Sequence, residues 1–293
     1  MEKKARRLGD RKDGYLLRDM DSLHLMMPYI LRNRADSEAF IEEAIDLTAV
    51  DEYLKKKNAE NPEYKYTLFQ IICAAILRTL VLRPKMNRFI AGRRIYQRSY
   101  LSIAFVAKNK FSDDGGESLL MLYFDDDFSI ETVRDSIYKK VHQARSGVQD
   151  NTTNAMDVLT RLPRCILRIV GKILLFCDYY GRVPHGLVKE EPNYSSVFLT
   201  NLGSIQLNAG YHHLNNWGTN SLFLVIGEKG LLPYFSEDGS AEMRNSVKLG
   251  ITLDERIADG YYYAQSIKLF RHLITHPELL ERPAKEEIDY ANL

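Results

Sequence analysis

The segment TLFQIICAAILRTLVLRP (67–84) constrains the fold more than any other part of the chain. Its apolar side chains are spread around nearly the whole circumference of a helix, and Pro84 stops it. A helix lying on a protein surface keeps a polar face, whereas one without such a face must be enclosed. Residues 67–84 are therefore expected to form the central core helix, and the rest of the chain must supply the enclosing layers. With 293 residues, 45% hydrophobic and 27% charged, the chain can do so as one large domain or two small ones. No internal repeat or low-complexity linker divides it, so residues 1–35 read as an N-terminal arm and residues 36–293 as one domain.

The enclosing layers read as strands and helices together. AFIEEAIDLT (39–48) predicts a strand, followed by a short polar helix in AVDEYLKKKNAE that stops at Asn61-Pro62. RRIYQRSYLSIAFVAK (93–108), rich in β-branched and aromatic residues, predicts a hairpin turning at Gln97-Arg98-Ser99. SLLMLYFD (118–125) predicts a strand, and SIETVRDSIYKKVHQARSG (129–147) an amphipathic helix running from Ser129 to Gly147. Residues 155–177 predict one or two helices. SSVFLTNLGSI (195–205) and NSLFLVIGEKG (220–230) predict strands separated by the loop NAGYHHLNNWGT. VKLGITLDE (247–255) predicts the last strand and YYYAQSIKLFRHLI (261–274) the last helix. Strands and helices mix without strict βαβ alternation. The expected class is α/β, a mixed β-sheet with helices packed on one face.

Charge and cysteine usage narrow the function classes. The 40 basic and 39 acidic side chains nearly cancel, leaving a formal charge of +1, so no nucleic acid partner is expected. Cys73, Cys165 and Cys177 lie in apolar stretches without C-x-x-C spacing, which reads as reduced core thiols, with no disulfide and no metal site. The N-terminal MEKKARRLGDRKDG lacks a signal peptide's apolar stretch, and no run approaches the roughly 18 apolar residues of a spanning helix, so a soluble cytoplasmic protein is expected. Asp125-Asp126-Asp127 precede a helix start, where negative charge complements the helix dipole; Asp113-Asp114-Gly115-Gly116 reads as a turn. P-loop, dinucleotide-binding and G-x-S-x-G patterns are missing.

Two stretches carry chemistry. Asp254-Glu255-Arg256-Ile257-Ala258-Asp259-Gly260 follows a strand and precedes a helix, the usual build of a catalytic corner. Thr200-Asn201-Leu202-Gly203 and Val225-Ile226-Gly227 sit on the two strands that flank the Gly/Asn-rich loop. Taken in this order over residues 36–280, these motifs resemble the chloramphenicol acetyltransferase-like fold. That fold includes the catalytic domain of the dihydrolipoyl acyltransferases of 2-oxo acid dehydrogenase complexes. The signature of that family is D-H-R-x-x-D-G; the corner matches every fixed position except the histidine, where Glu255 stands.

The resemblance implies a homotrimer whose acyl-transfer site lies between subunits, with coenzyme A thioester as co-substrate and a small-molecule acceptor. It also implies a general base at Glu255, an oxyanion donor at Thr200 and a structural acid at Asp259, paired with an arginine for which Arg18 and Arg11 are candidates. Gly260 would be the tight turn into the last helix. A lipoyl domain, a subunit-binding domain and an Ala/Pro-rich linker are not found in the sequence. An imidazole titrates near 6.5 and suits acyl transfer; a solvated glutamate, at about 4.3, is a weak base unless burial lifts it to about 6–7. Two readings follow: a coenzyme A-dependent acyltransferase with weakened or lost activity, or a non-catalytic thioester-binding or scaffold protein of the same fold. His212 and His213 offer a replacement imidazole. The plainer reading has Tyr211, His212 and Trp217 packing at a subunit contact.

The stretch RLPRCILRIVGKILLFCDYYGRVP (161–184) sets Arg161, Arg164, Arg168 and Lys172 three or four residues apart, a basic stripe on one helical face. A helix packed on the sheet with this stripe in water is the expected reading; contact with an anionic membrane surface, cover for an acyl-chain tunnel, or contact with coenzyme A phosphates are the alternatives.

Overall fold

A computed structural model describes residues 5–108, 116–146 and 161–289. In chain order its elements begin β1 (Gly14–Leu16), α1 (Ser22–Ile30), β2 (Glu38–Asp46), α2 (Thr48–Ala59), α3 (Leu68–Leu82), β3 (Arg88–Ala91), β4 (Arg94–Arg98), β5 (Leu101–Lys108) and β6 (Glu117–Phe124). They continue with α4 (Ile130–Arg145), α5 (Arg164–Tyr179), α6 (His185–Val188), β7 (Val197–Asn201), β8 (Leu222–Phe235), β9 (Ala241–Asp254) and α7 (Gly260–Thr275). Residues 113–115, 147 and 155–160, for which a turn and helical structure were expected, lie outside the described residues.

The central helix is where the sequence placed it. In α3 every residue from Gln70 to Leu80 is buried. The Thr67 N–H donates to Gln70 Oε1 at 2.9 Å to start the helix, and Pro84 ends it. Against it pack α7, α4 and β5, so α3 lies under the large sheet. That sheet has the order β2-β9-β8-β7-β5-β6. Strand β7 runs parallel to both β5 and β8, and the other pairs are antiparallel. The α/β class and the mixed sheet are as expected. Helices α2, α3, α4 and α7 contribute to one continuous apolar core with the inward face of the sheet.

The opposite face is covered differently among the described residues. Loop 206–217 lies on it, and Leu214 is buried there against Phe223 and Val225. A Cβ on Gly250 of β9 would strike the Gly210 carbonyl, so only glycine lets the loop lie this close to the strand.

Three expectations are corrected. Residues 93–108 are not a hairpin: β4 pairs with β3 and β1 in a separate three-stranded sheet, and β5 joins the large sheet. The turn lies earlier, at Gly92-Arg93, where both residues have positive φ (55° and 58°). Strands β8 and β9 are longer than predicted and continue as a hairpin past residue 230 around Asp238-Gly239, a dipeptide suited to tight turns. Of the three cysteines only Cys73 is in the core, where burial pushes its thiol up; Cys165 is exposed on α5 and Cys177 half-buried.

Candidate active site

The strand-to-helix corner is a rigid frame. Asp254, at the end of β9, is fully buried and holds Arg256 by a two-pronged ion pair, with Nε–Oδ1 and Nη2–Oδ2 each 2.7 Å. Arg256 Nη1 also donates to the Leu31 carbonyl at 2.8 Å. Beside this pair stands Arg34, its Nε 3.8 Å from Asp254 Oδ2. Arg34 donates to the carbonyls of Asn215 (2.6 Å) and Ile90 (2.9 Å), so one side chain ties the N-terminal arm, loop 206–217 and β3 to the corner. Burial lowers the Arg34 pKa to about 10; Asp254 counteracts this and Arg256 adds to it.

Backbone contacts complete the frame. The Glu255 N–H donates to the Ser37 carbonyl at 2.9 Å, and the Asp254 N–H to the Ser221 carbonyl at 3.0 Å. Tyr263 braces the turn from α7: its hydroxyl donates to the Asp254 carbonyl at 2.8 Å and accepts from the Ala258 N–H at 3.1 Å. Burial pushes the Tyr263 phenol up.

On this frame the Glu255 side chain is exposed and has no hydrogen bond or ion pair among the described residues. Its neighbour Arg256 is turned inward to Asp254, so the carboxylate is not paired with an arginine. Asp259 is also exposed. It caps α7, accepting from the Tyr262 N–H at 2.8 Å. That hydrogen bond holds its carboxyl below the usual range against a small cost of burial, with Lys85 and His24 adding weaker attractions.

Asp259 therefore does not take the arginine expected for it within the chain. Arg11 pairs with Asp13 and Asp178, and Arg18 with Asp10. The acid that binds arginine is Asp254, and its partners are Arg256 and, from the arm, Arg34. Gly260 is the first residue of α7 and not a left-handed turn.

Thr200 is half-buried at the end of β7, on the loop-covered side of the sheet, and its hydroxyl has no hydrogen bond among the described residues. Register decides its relation to Glu255. Thr200 is level with Val225 of β8, which is level with Gly250 of β9. Glu255 is five residues further, about 16 Å along the strand and about 10 Å across two strand spacings. One chain does not bring the two groups together.

The two histidines of the loop are exposed and stack on each other. The His212 ring stacks on Phe223, with centroids 4.2 Å apart at 7°, and on His213 at 4.9 Å; its Nδ1 is 2.9 Å from the His213 carbonyl. Tyr211 packs on Phe40 and Trp217 on Tyr194 within the same chain. A third histidine, His24 of α1, has its Nδ1 2.6 Å from Asp21 Oδ2 and adds the weakest of the attractions on Asp259. The sequence reading missed it. The signal was there in Asp21-Ser22-Leu23-His24, a helix-capping acid three residues before a histidine.

No family model and no curated protein sequence matches the chain. Solved structures do. A probable dihydrolipoamide acetyltransferase from Listeria monocytogenes superposes with a TM-score of 0.58 at 14% identity, covering 88% of this chain and 93% of its own. The dihydrolipoamide acetyltransferase of Azotobacter vinelandii, studied for the catalytic roles of a serine, a histidine and an asparagine, gives 0.57 at 15% identity, covering 91% and 94%. A truncated catalytic core of the 2-oxoacid dehydrogenase complex from Thermoplasma acidophilum gives 0.54 at 17%, covering 89% and 98%. Fold and motif thus agree: this chain has the fold of dihydrolipoyl acyltransferase catalytic cores, the family its DERIADG corner resembles.

Proposed function

We propose that this protein moves an acyl group between a coenzyme A thioester and a small acceptor, in a site formed where subunits of a homotrimer meet. The observation that carries the reading is the corner itself. A buried Asp254–Arg256–Arg34 cluster fixes the backbone and leaves exposed and unpaired the carboxylate of Glu255, the residue that the motif resemblance matches to the family's histidine. In the Azotobacter enzyme the histidine and asparagine are four residues apart, as Glu255 and Asp259 are here.

The chemistry is acyl transfer by addition and elimination. Glu255 takes the proton from the acceptor's thiol or hydroxyl as that atom attacks the thioester carbonyl. The Thr200 hydroxyl of the adjoining subunit donates to the oxyanion of the tetrahedral intermediate. Collapse breaks the carbon–sulfur bond, and the leaving coenzyme A thiolate takes the proton back from Glu255. Asp259 holds the corner by capping α7.

Thiol release from a panel of acyl-coenzyme A donors tests this. Glu255→Gln abolishes turnover and Glu255→His preserves or raises it, whereas His24→Gln leaves it unchanged. Loss on His24→Gln with Glu255→Gln fully active reassigns the base to the Asp21–His24 pair. Acyl-coenzyme A binding with no turnover in the unaltered protein supports the scaffold reading instead.

A further inference from the structure

Helix α5 does not pack on the sheet as expected; it is held to the rest of the protein at its C-terminal end. Asp178 is its one buried residue. There Asp178 Oδ1 accepts from the Tyr194 hydroxyl at 2.7 Å and lies 3.5 Å from Arg11 Nη2, and the Asp178 carbonyl accepts from Arg11 Nη1 at 2.6 Å. Along the remaining length Ile166, Ile169, Ile173 and Phe176, with Tyr180 just past the end, are 43–62% exposed. Their spacing of three, four, three and four places them on one face. Arg164, Arg168 and Lys172 lie four residues apart on an adjoining face, Arg161 just precedes the helix, and residues 161–177 contain no acidic side chain. No described helix separates apolar from polar faces more sharply. Helix α1 adds exposed Leu23, Met26 and Ile30, and meets α5 at a cleft lined by Pro28, Arg32, Arg93, Leu175 and Tyr179.

We propose that α5, with α1 beside it, docks this protein on an anionic lipid surface. Helix α5 lies in the headgroup plane with Ile166, Ile169, Ile173 and Phe176 inserted, and its arginines and lysine, with Arg32 and Arg93, attract lipid phosphates. An amphipathic helix whose exposed charges are all basic has the composition for this position. A second helix fits less well: Cys165, Val170 and Cys177, which flank the stripe, carry no charge that would set the register of a helical partner. None of the described helices is long and apolar enough to cross a membrane, so α5 lies on the surface. The proposal does not depend on acyl transfer.

Co-sedimentation of the full chain with vesicles tests it, comparing phosphatidylcholine alone with a phosphatidylcholine–phosphatidylglycerol mixture at several salt concentrations. The protein is expected on the anionic vesicles at low salt and off them at high salt. An Ile169→Asp/Phe176→Asp variant with an unchanged thermal melt loses at least about tenfold in partition, and Arg164→Gln/Arg168→Gln/Lys172→Gln loses about 10²-fold. Failure of the unaltered protein to bind anionic vesicles overturns the proposal. So does unchanged binding by the Asp variant. A fall in oligomer mass of that variant without lipid also overturns it, because the stripe is then an interface between copies.

Discussion

At the scale of single residues, adjacent carboxylates in the corner do opposite work. Asp254 is buried between two guanidiniums, whereas Glu255 is in water. Replacing Asp254 with Asn removes the charge facing Arg256 and Arg34 and leaves two like charges buried together. The expected loss is about 3–5 kcal/mol. Glu255→Gln is expected to stay within about 0.5 kcal/mol of the unaltered protein. Urea midpoints of the two variants check the contrast. Asp259 adds a pH signature. Its carboxyl is held low by the Tyr262 N–H, so its stabilisation is present above the ordinary carboxylate range and is lost as pH falls through the lower folded value. Asp259→Asn keeps the cap and removes that part of the acid sensitivity; Asp259→Ala costs about 1 kcal/mol at neutral pH. Melts between pH 3 and 7 separate the two.

At the scale of elements, legibility followed how local each cause was. Helix α3 was readable because its missing polar face is a property of its own sequence, and so were the two strands, β7 and β8, on either side of loop 206–217. The β4–β5 break was not. Both segments read as strands, and only pairing across the fold sends Arg94–Arg98 to the small sheet and Leu101–Lys108 to the large one. Arg98 explains the switch after the fact. It is buried and donates to the carbonyls of Tyr194 (2.7 Å) and Thr219 (2.6 Å), partners some hundred residues away in sequence. In the site, the corner and Thr200 were legible as motifs, but the arginine partner of the corner was not, because Arg34 is recruited from the arm by tertiary folding. Gly250 makes an element-level test. Gly250→Ala forces loop 206–217 off β9, with an expected cost of about 1–3 kcal/mol visible as a lowered melting temperature.

At the scale of the whole molecule, a trimer of 33.8 kDa chains weighs three times that, about 101 kDa, and light scattering on the eluted protein measures it. The strand register that sets Thr200 and Glu255 at opposite ends of the sheet has a consequence for heredity. In the trimer proposed above, each chain would carry the two halves of different sites, so damage to one half would spare the other. Thr200→Ala and Glu255→Gln chains, each inactive alone, are expected to complement one another when unfolded and refolded together in equal amounts. Random assortment leaves about a quarter of the junctions with both halves intact, and thiol release should recover to about that fraction. Two defective alleles in one cell would then rescue each other.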